Sequence, residues 1–257
     1  KSPQFRKYMN FIVPFSAKKA DRIISDSNAT KKDLIKYYKI PEQKIQTIYC
    51  GYKSFYKKPE SEEQIDRIKK KYSINRDYFL FVGGDDPRKN LERIIQAFIL
   101  LKKNESAKDI QLVLVGKRRE KHIEKLNNII KESGLENSVK FIDYIDEDEL
   151  ILFYSGARLL VYPSIYEGFG FPVLEAMACG TPVLTSSISS LPEVAGDASV
   201  VVDPYDINDI CRGMQLILEN GDIADELSEK GYKRTALFSW NKSAEKLLKV
   251  FQELNPE

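Results

Sequence analysis

Short apolar runs alternate with amphipathic stretches along most of the chain. The runs Arg22–Ser25, Ile45–Tyr49, Tyr78–Val82, Gln111–Val115, Val139–Ile142, Leu159–Tyr162, Val183–Thr185 and Ser199–Val202 are mostly β-branched or aromatic and apolar throughout. That is the pattern of strands covered on both faces. Between them, apolar positions at helical spacing predict helices over Ala29–Tyr38, Asn90–Lys103, Glu120–Ser133, Glu147–Ser155, Pro172–Cys179 and Ile207–Asn220. Strand and helix in alternation imply right-handed βαβ units, hence an α/β fold with a doubly wound parallel sheet. The ends of the helices carry suitable residues. Ser27 or Asn28 can cap the first of them, Asp146 precedes an acidic first turn, and Gly134 and Gly180 follow helices as terminating glycines.

The pattern weakens over Gly51–Glu63, where Pro59 and the polar run Lys57-Lys-Pro-Glu-Ser-Glu-Glu63 read as a linker. Residues 1–55 hold too few strands to bury a sheet and are expected to be the remnant of a preceding α/β domain. Residues 56–222 read as one complete doubly wound domain. Residues 223–257 read as two helices broken near Phe238-Ser239, packing back toward the preceding domain. The chain opens at Lys1, as if within a helix, which is expected of part of a longer polypeptide.

Composition narrows the field only by exclusion. Of 257 residues, 42% are hydrophobic and 30% charged, and the formal net charge is +2. So small a charge argues neither for nucleic acid nor for an anionic membrane. The clusters Lys69-Lys-Lys71 and Lys117-Arg-Arg119 read as solvated faces. No run has the length of a transmembrane helix, and Lys1-Ser-Pro-Gln4 lacks the apolar core of a signal peptide. Cys50, Cys179 and Cys211 are widely spaced and complete no metal pattern, and His122 is the only histidine. Asn28-Ala-Thr30, Asn104-Glu-Ser106 and Asn241-Lys-Ser243 are chance matches to the glycan acceptor pattern in a chain expected to be cytoplasmic.

An open parallel sheet binds ligands at the carboxyl ends of its strands, and two segments there carry chemistry. In Tyr162-Pro-Ser-Ile-Tyr-Glu167-Gly-Phe-Gly-Phe-Pro-Val-Leu-Glu175 a buried strand runs into a glycine loop, and a helix begins around Pro172. Gly168 and Gly170 let backbone approach a ligand, and the helix N-terminus favours an anion such as a diphosphate. Glu167, in the loop, can accept from sugar hydroxyls. Glu175, one turn inside the helix, can hold a vicinal diol such as a ribose, or can simply be a first-turn acid favoured by the dipole. In Phe79-Leu-Phe-Val-Gly83-Gly84-Asp-Asp-Pro-Arg88-Lys89-Asn90 two cations stand at a helix start, where they oppose the macrodipole unless an anion binds. Two solvated surface cations are the plainer alternative. Val115-Gly116-Lys117 reads as a structural turn that could border a base pocket, and Glu193 as a helix first-turn acid.

The first of these segments resembles the E-x7-E signature of retaining glycosyltransferases with the GT-B fold, in particular glycosyltransferase family 4 (group 1). Ser16-Ala-Lys-Lys-Ala-Asp-Arg-Ile-Ile-Ser-Asp-Ser-Asn28, Lys44-Ile-Gln-Thr-Ile-Tyr-Cys-Gly51, Leu191-Pro-Glu-Val-Ala-Gly196 and Phe238-Ser-Trp240 are similar to family positions, so nearly the whole chain is covered. The resemblance implies that residues 56–222 are the second, Rossmann-like domain of a GT-B fold. It implies transfer of a hexose from a nucleotide sugar, GDP- or UDP-linked, to a glycan or lipid-linked acceptor in cell-surface polysaccharide or glycoconjugate synthesis. Lys89, Arg88 and Glu167 then have the catalytic roles. Gly83, Gly84, Tyr144, Ile145, Gly168, Phe169, Gly170, Phe171, Leu174 and Glu175 join them in holding the donor, with Tyr144 and Ile145 at the nucleobase. Many relatives carry an arginine where this chain has Gly84, which places more of the diphosphate on Arg88 and Lys89.

No Asp-x-Asp motif is placed to hold a divalent ion, so no metal or other cofactor is expected. Nucleic acid is not an expected partner. Peripheral association with the inner face of a membrane would come through the preceding domain. The rival reading is a donor-binding module or subunit without activity on its own. A nicotinamide dehydrogenase is disfavoured, because the first strand lacks a Gly-x-Gly-x-x-Gly turn.

Overall fold

The computed structural model describes residues 3–59 and 61–254, with backbone only at Pro3 and Arg6. Lys1, Ser2, Glu60 and residues 255–257, on which the readings of the chain's opening, linker and end partly rest, lie outside the described residues. The chain divides into two compact units, residues 1–51 with 238–257 and residues 52–237.

In the first unit, α1 (Pro3–Lys19), β1 (Ile23–Ser25), α2 (Asn28–Tyr38) and β2 (Ile45–Thr47) follow in order. The two strands pair in parallel, with Ile23 opposite Ile45 and Ser25 opposite Thr47. Ser27 is the cap of α2: its hydroxyl accepts from the Thr30 amide at 3.0 Å.

The second unit opens with α3 (Glu62–Lys71). It continues through β3 (Asp77–Val82), α4 (Leu91–Leu101), β4 (Ile110–Val115), α5 (Glu120–Glu132), β5 (Val139–Ile142) and α6 (Glu147–Ser155). Next come β6 (Leu159–Tyr162), α7 (Phe171–Ala178), β7 (Val183–Ser186), α8 (Leu191–Ala195), β8 (Val200–Val202), α9 (Ile207–Glu219) and α10 (Gly221–Thr235). The last helix, α11 (Trp240–Leu254), belongs to the first unit.

The sheet of the second unit has six strands in the order β5-β4-β3-β6-β7-β8, all parallel, as the uniformly apolar runs predict. Tyr78, Phe79, Leu80, Phe81, Leu159, Leu160 and Val161 are fully buried in it. Winding runs outward through β4 and β5 in one direction and through β7 and β8 in the other. The switch therefore falls between β3 and β6, whose carboxyl ends lead into Gly83 and Pro163, and a crevice for ligand is expected there.

Two readings of the sequence need correction. The polar stretch ending at Glu63 is in part helix, because Ser61 caps α3 by accepting from the Glu63 amide at 3.1 Å. Glu62 and Glu63 at the start of α3 and Lys69–Lys71 at its end complement the macrodipole. Nor do all of residues 223–257 group with the first unit. Helix α10 packs on α7, so closely that a Cβ on Gly231 would lie 2.9 Å from the Met177 Cγ. Among the described residues no helix is long and apolar enough to cross a membrane.

A buried hydrogen bond links β3 to the end of α6: the Tyr78 hydroxyl donates to the Phe153 carbonyl at 2.8 Å. Tyr78→Phe is expected to lower stability by about 1 kcal/mol in urea unfolding, since the carbonyl is left without that donor.

Candidate active site

At the switch point, β3 runs into the tight turn Gly83-Gly84 and then a single 3-10 turn, Pro87–Lys89. Asn90 follows with φ of 63°, a left-handed conformation that asparagine tolerates, and α4 begins at Leu91. The Asn90 amide donates to the carbonyls of Pro163, at 3.0 Å, and Pro204, at 2.6 Å. The Ile165 amide donates to the Arg88 carbonyl at 2.7 Å. These bonds lock the turn after β3 to the loop after β6, which brings Arg88 and Lys89 to Glu167.

Lys89 Nζ donates to Glu167 Oε1 at 2.7 Å and also to the Tyr162 hydroxyl, which itself donates to Glu167 Oε1 at 2.9 Å. The Lys89 and Glu167 side chains are only 21% and 14% exposed, so the pair is partly withdrawn from water. Burial, with the Glu167 charge next, pushes the Tyr162 phenol well above its ordinary pKa and keeps it a donor. Arg88 is held differently. Its Nε and terminal nitrogen reach the two Asp86 carboxylate oxygens at 3.0 and 2.7 Å, and this holds the Asp86 pKa down to about 2. The conflict of two cations with a helix dipole is thus already relieved by Asp86 and Glu167. In addition, both cations precede α4 by a turn instead of standing in its first one.

The loop Pro163–Gly170 is fastened from behind by two serines. Ser189 Oγ donates to the Glu167 carbonyl at 2.6 Å and accepts from the Glu167 amide at 3.0 Å, and Ser190 Oγ donates to the Phe169 carbonyl at 2.8 Å. Gly170, with φ of 114°, turns the chain into α7, whose start has no side-chain cap and carries Pro172 in its first turn. Phe169 and Leu174 are buried, whereas Phe171 is 39% exposed. Glu175 is not bonded to Lys89 and accepts from the Tyr154 hydroxyl at 2.9 Å. Glu193 stands in the first turn of α8.

Beyond β3 the expected residues spread along the sheet edge. Gly83 lies against the Lys89 side chain, since a Cβ added to this glycine would stand 3.6 Å from the Lys89 Cδ, and Gly84 faces the Lys117 carbonyl. Tyr144 and Ile145 follow β5, at about 14 Å from β6 if each of three strand spacings is about 4.8 Å. Tyr144 is exposed and Ile145 buried.

The cluster Lys117-Arg-Arg119 is a solvated face at Lys117 and Arg119 but not at Arg118. Arg118 is buried at the end of β4, donates to the Gly116 carbonyl at 2.7 Å and lies over the Phe141 ring. Burial lowers its pKa to about 10, and its Nε and second terminal nitrogen have no partner. Arg119 and His122 both bond Asp85, which ties the start of α5 to the turn after β3. The parts played by Tyr162, Ser189, Ser190, Asn90 and Arg118 were not read in the sequence, where Tyr162 and Asn90 only bounded the two segments and Arg118 belonged to a basic cluster. Asn90, Ser189 and Ser190 act through contacts distant along the chain, which no local spacing encodes.

The profile of glycosyl transferases group 1 matches residues 63–234, and that of glycosyltransferase family 4 matches residues 1–53. The serotype-specific mannosyltransferase WbdA of Escherichia coli is 34% identical over 255 residues, 98% of this chain and 31% of that protein. O-antigen chain mannosyltransferase B of Escherichia coli is 31% identical over 249 residues, 96% of this chain and 65% of that protein. The chain therefore spans less than two thirds of the length of these relatives. Among solved structures, sucrose-phosphate synthase from Thermosynechococcus elongatus matches with a TM-score of 0.83 at 26% identity, over 98% of this chain and 63% of that one. Anabaena HepE in complex with UDP and glucose matches with a TM-score of 0.86 over 98% of this chain and 69% of that one, and at 19% identity shows likeness of fold alone. The group 1 profile covers both the turn that carries Arg88 and Lys89 and the segment from Glu167 to Glu175, and the chain belongs to the group 1 family of glycosyltransferases.

Proposed function

We propose that the chain carries the donor half of a retaining glycosyltransferase that moves a hexose from a nucleoside diphosphate sugar to a glycan or lipid-linked acceptor, in the synthesis of a cell-surface polysaccharide. The observation that carries this reading is the Lys89–Glu167 pair, held at the switch point beside the uncapped start of α7. Breaking the glycosidic bond leaves negative charge on the diphosphate. Lys89, the Arg88 guanidinium and the α7 N-terminus offset that charge where it develops. Glu167 orients the sugar through its hydroxyls, and Glu175 takes the ribose. The fixed cations make the reaction independent of a divalent metal.

For the donor we propose GDP-mannose. The Pro-Arg-Lys-Asn form of the phosphate turn resembles mannosyl-type relatives, and two similar proteins are named mannosyltransferases. A thermal-shift screen against GDP- and UDP-linked sugars, with and without EDTA, tests donor and metal together. GDP-mannose is expected to give the largest rise in Tm, unchanged by EDTA. A rise with UDP-sugars alone overturns the donor, a rise abolished by EDTA overturns metal independence, and no rise with any member overturns the reading.

The greater length of the relatives favours a second reading, a donor-binding module that is inactive by itself. Assaying this chain separates the two: transfer supports the first reading, and donor binding without transfer the second.

A further inference from the structure

Glu175 is held by tyrosines where Glu167 is held by a cation. Tyr154, in the last turn of α6, donates to Glu175 Oε2 at 2.9 Å, and Tyr56, from the segment before α3, packs against the Tyr154 ring and stabilises the charged form of the same carboxylate. Both tyrosines are buried, at 0% and 3% exposure, and their rings meet edge-on at 6.1 Å. Thr181 Oγ1 donates to the Tyr154 carbonyl at 2.6 Å, which fixes that end of α6. Glu147, at the start of α6, and Lys53, from the same segment as Tyr56, also act on Glu175, which in turn acts on Cys179 and Tyr162.

A carboxylate offers about four lone-pair sites. The Tyr154 phenol occupies one of them, with the Tyr56 ring packed edge-on behind it. Burial is the largest influence on Glu175 and raises its pKa, so the charged acid is short of solvation and gains from any further donor. Both phenols are kept protonated by burial and by the carboxylate itself.

We propose that Tyr56 and Tyr154 are positioning residues that hold the Glu175 carboxylate so that its remaining lone pairs take the two adjacent hydroxyls of the donor ribose. The proposal rests on the reading of Glu175 given above and extends it to the groups that aim the acid. If the tyrosines merely satisfied a buried carboxylate, removing their hydroxyls would cost stability and leave the choice of ligand unchanged.

The test compares GDP with 2′,3′-dideoxy-GDP by titration calorimetry on the chain and on Tyr56→Phe, Tyr154→Phe and the double variant, each checked by circular dichroism for a native melt. The unsubstituted chain is expected to prefer GDP by about tenfold, the value of a hydrogen-bonded diol on a charged acceptor. In the double variant the preference should fall to about twofold while affinity for the dideoxy nucleotide stays within about twofold, because only the aim of Glu175 is lost. Preservation of the tenfold preference in folded variants overturns the proposal. If the double variant fails to fold, the same reading applies to whichever single variant folds. If the unsubstituted chain binds both nucleotides equally, the ribose role of Glu175 is wrong and the proposal falls with it. If it binds neither, the guanine donor is wrong and the comparison is made with the nucleoside diphosphate that the thermal-shift screen selects and its 2′,3′-dideoxy form; if no nucleotide sugar raises Tm there, the donor-site reading itself is wrong.

Discussion

Lys89→Ala is expected to weaken nucleotide-sugar binding by about 100-fold, corresponding to about 3 kcal/mol, with Arg88→Ala having the smaller effect. Lys89 is fixed by two bonds, to Glu167 and Tyr162, and is 21% exposed, so its charge acts in a poorly screened place. Its loss removes a cation from the diphosphate and also leaves the Glu167 carboxylate with the Tyr162 hydroxyl but no cation beside the incoming sugar. Arg88 is 56% exposed and must leave Asp86 to serve a ligand, which discounts its contribution. Calorimetry of the two variants against the donor found by the thermal-shift screen measures the difference. Equal and unchanged affinities would contradict the roles given to both cations.

Gly116→Ala is expected to cost about 3 kcal/mol or more in chemical denaturation. Gly116 ends β4 with φ of 131°, and a Cβ there would lie 2.3 Å from the Gly83 carbonyl oxygen, a backbone atom that no rotamer change can move away. The strain therefore falls on the Gly83-Gly84 turn that precedes Arg88 and Lys89, and donor binding should suffer along with stability. Gly134→Ala is the control. Its φ of 68° is also left-handed, but nothing lies within 4 Å of the added carbon, so a cost of about 1 kcal/mol is expected. A small loss at Gly116, equal to that at Gly134, would show that the turn has room to shift.

What the sequence made legible follows from burial. Strands covered on both faces read as unbroken apolar runs, so β3, β4 and β6 could be located to within a residue or so. The loop before α7 was legible because its chemistry is local: a positive φ requires Gly170, and the first helical turn suits Pro172. Helix α3 was missed because its few apolar residues, such as the buried Ile68, are outnumbered by charges, and a charged stretch after a proline reads as linker. The assignment of α10 depended on the close approach of Gly231 to Met177, which no spacing along the chain encodes.

The site was legible in its parts but not in its joins. Lys89 and Glu167 were each identified, yet their pairing across 78 positions depends on Asn90 and the Ile165 amide drawing two loops together. Expecting an anion to relieve the dipole at Arg88 and Lys89 overlooked the carboxylates of Asp86 and Glu167. Tyr154 meets Glu175 only because α6 and α7 flank β6, and Tyr56 comes from a segment that the composition marks as linker.

The central claim is that the glycine loop and the start of α7, facing Lys89, hold the donor diphosphate. A crystal structure of the chain with a bound nucleotide sugar tests it most directly. The diphosphate is predicted within hydrogen-bond distance of Lys89 Nζ and of backbone amides between Gly168 and Phe171, with the ribose at Glu175. A nucleotide seated elsewhere on the second unit, with the Lys89–Glu167 pair undisturbed, would contradict it.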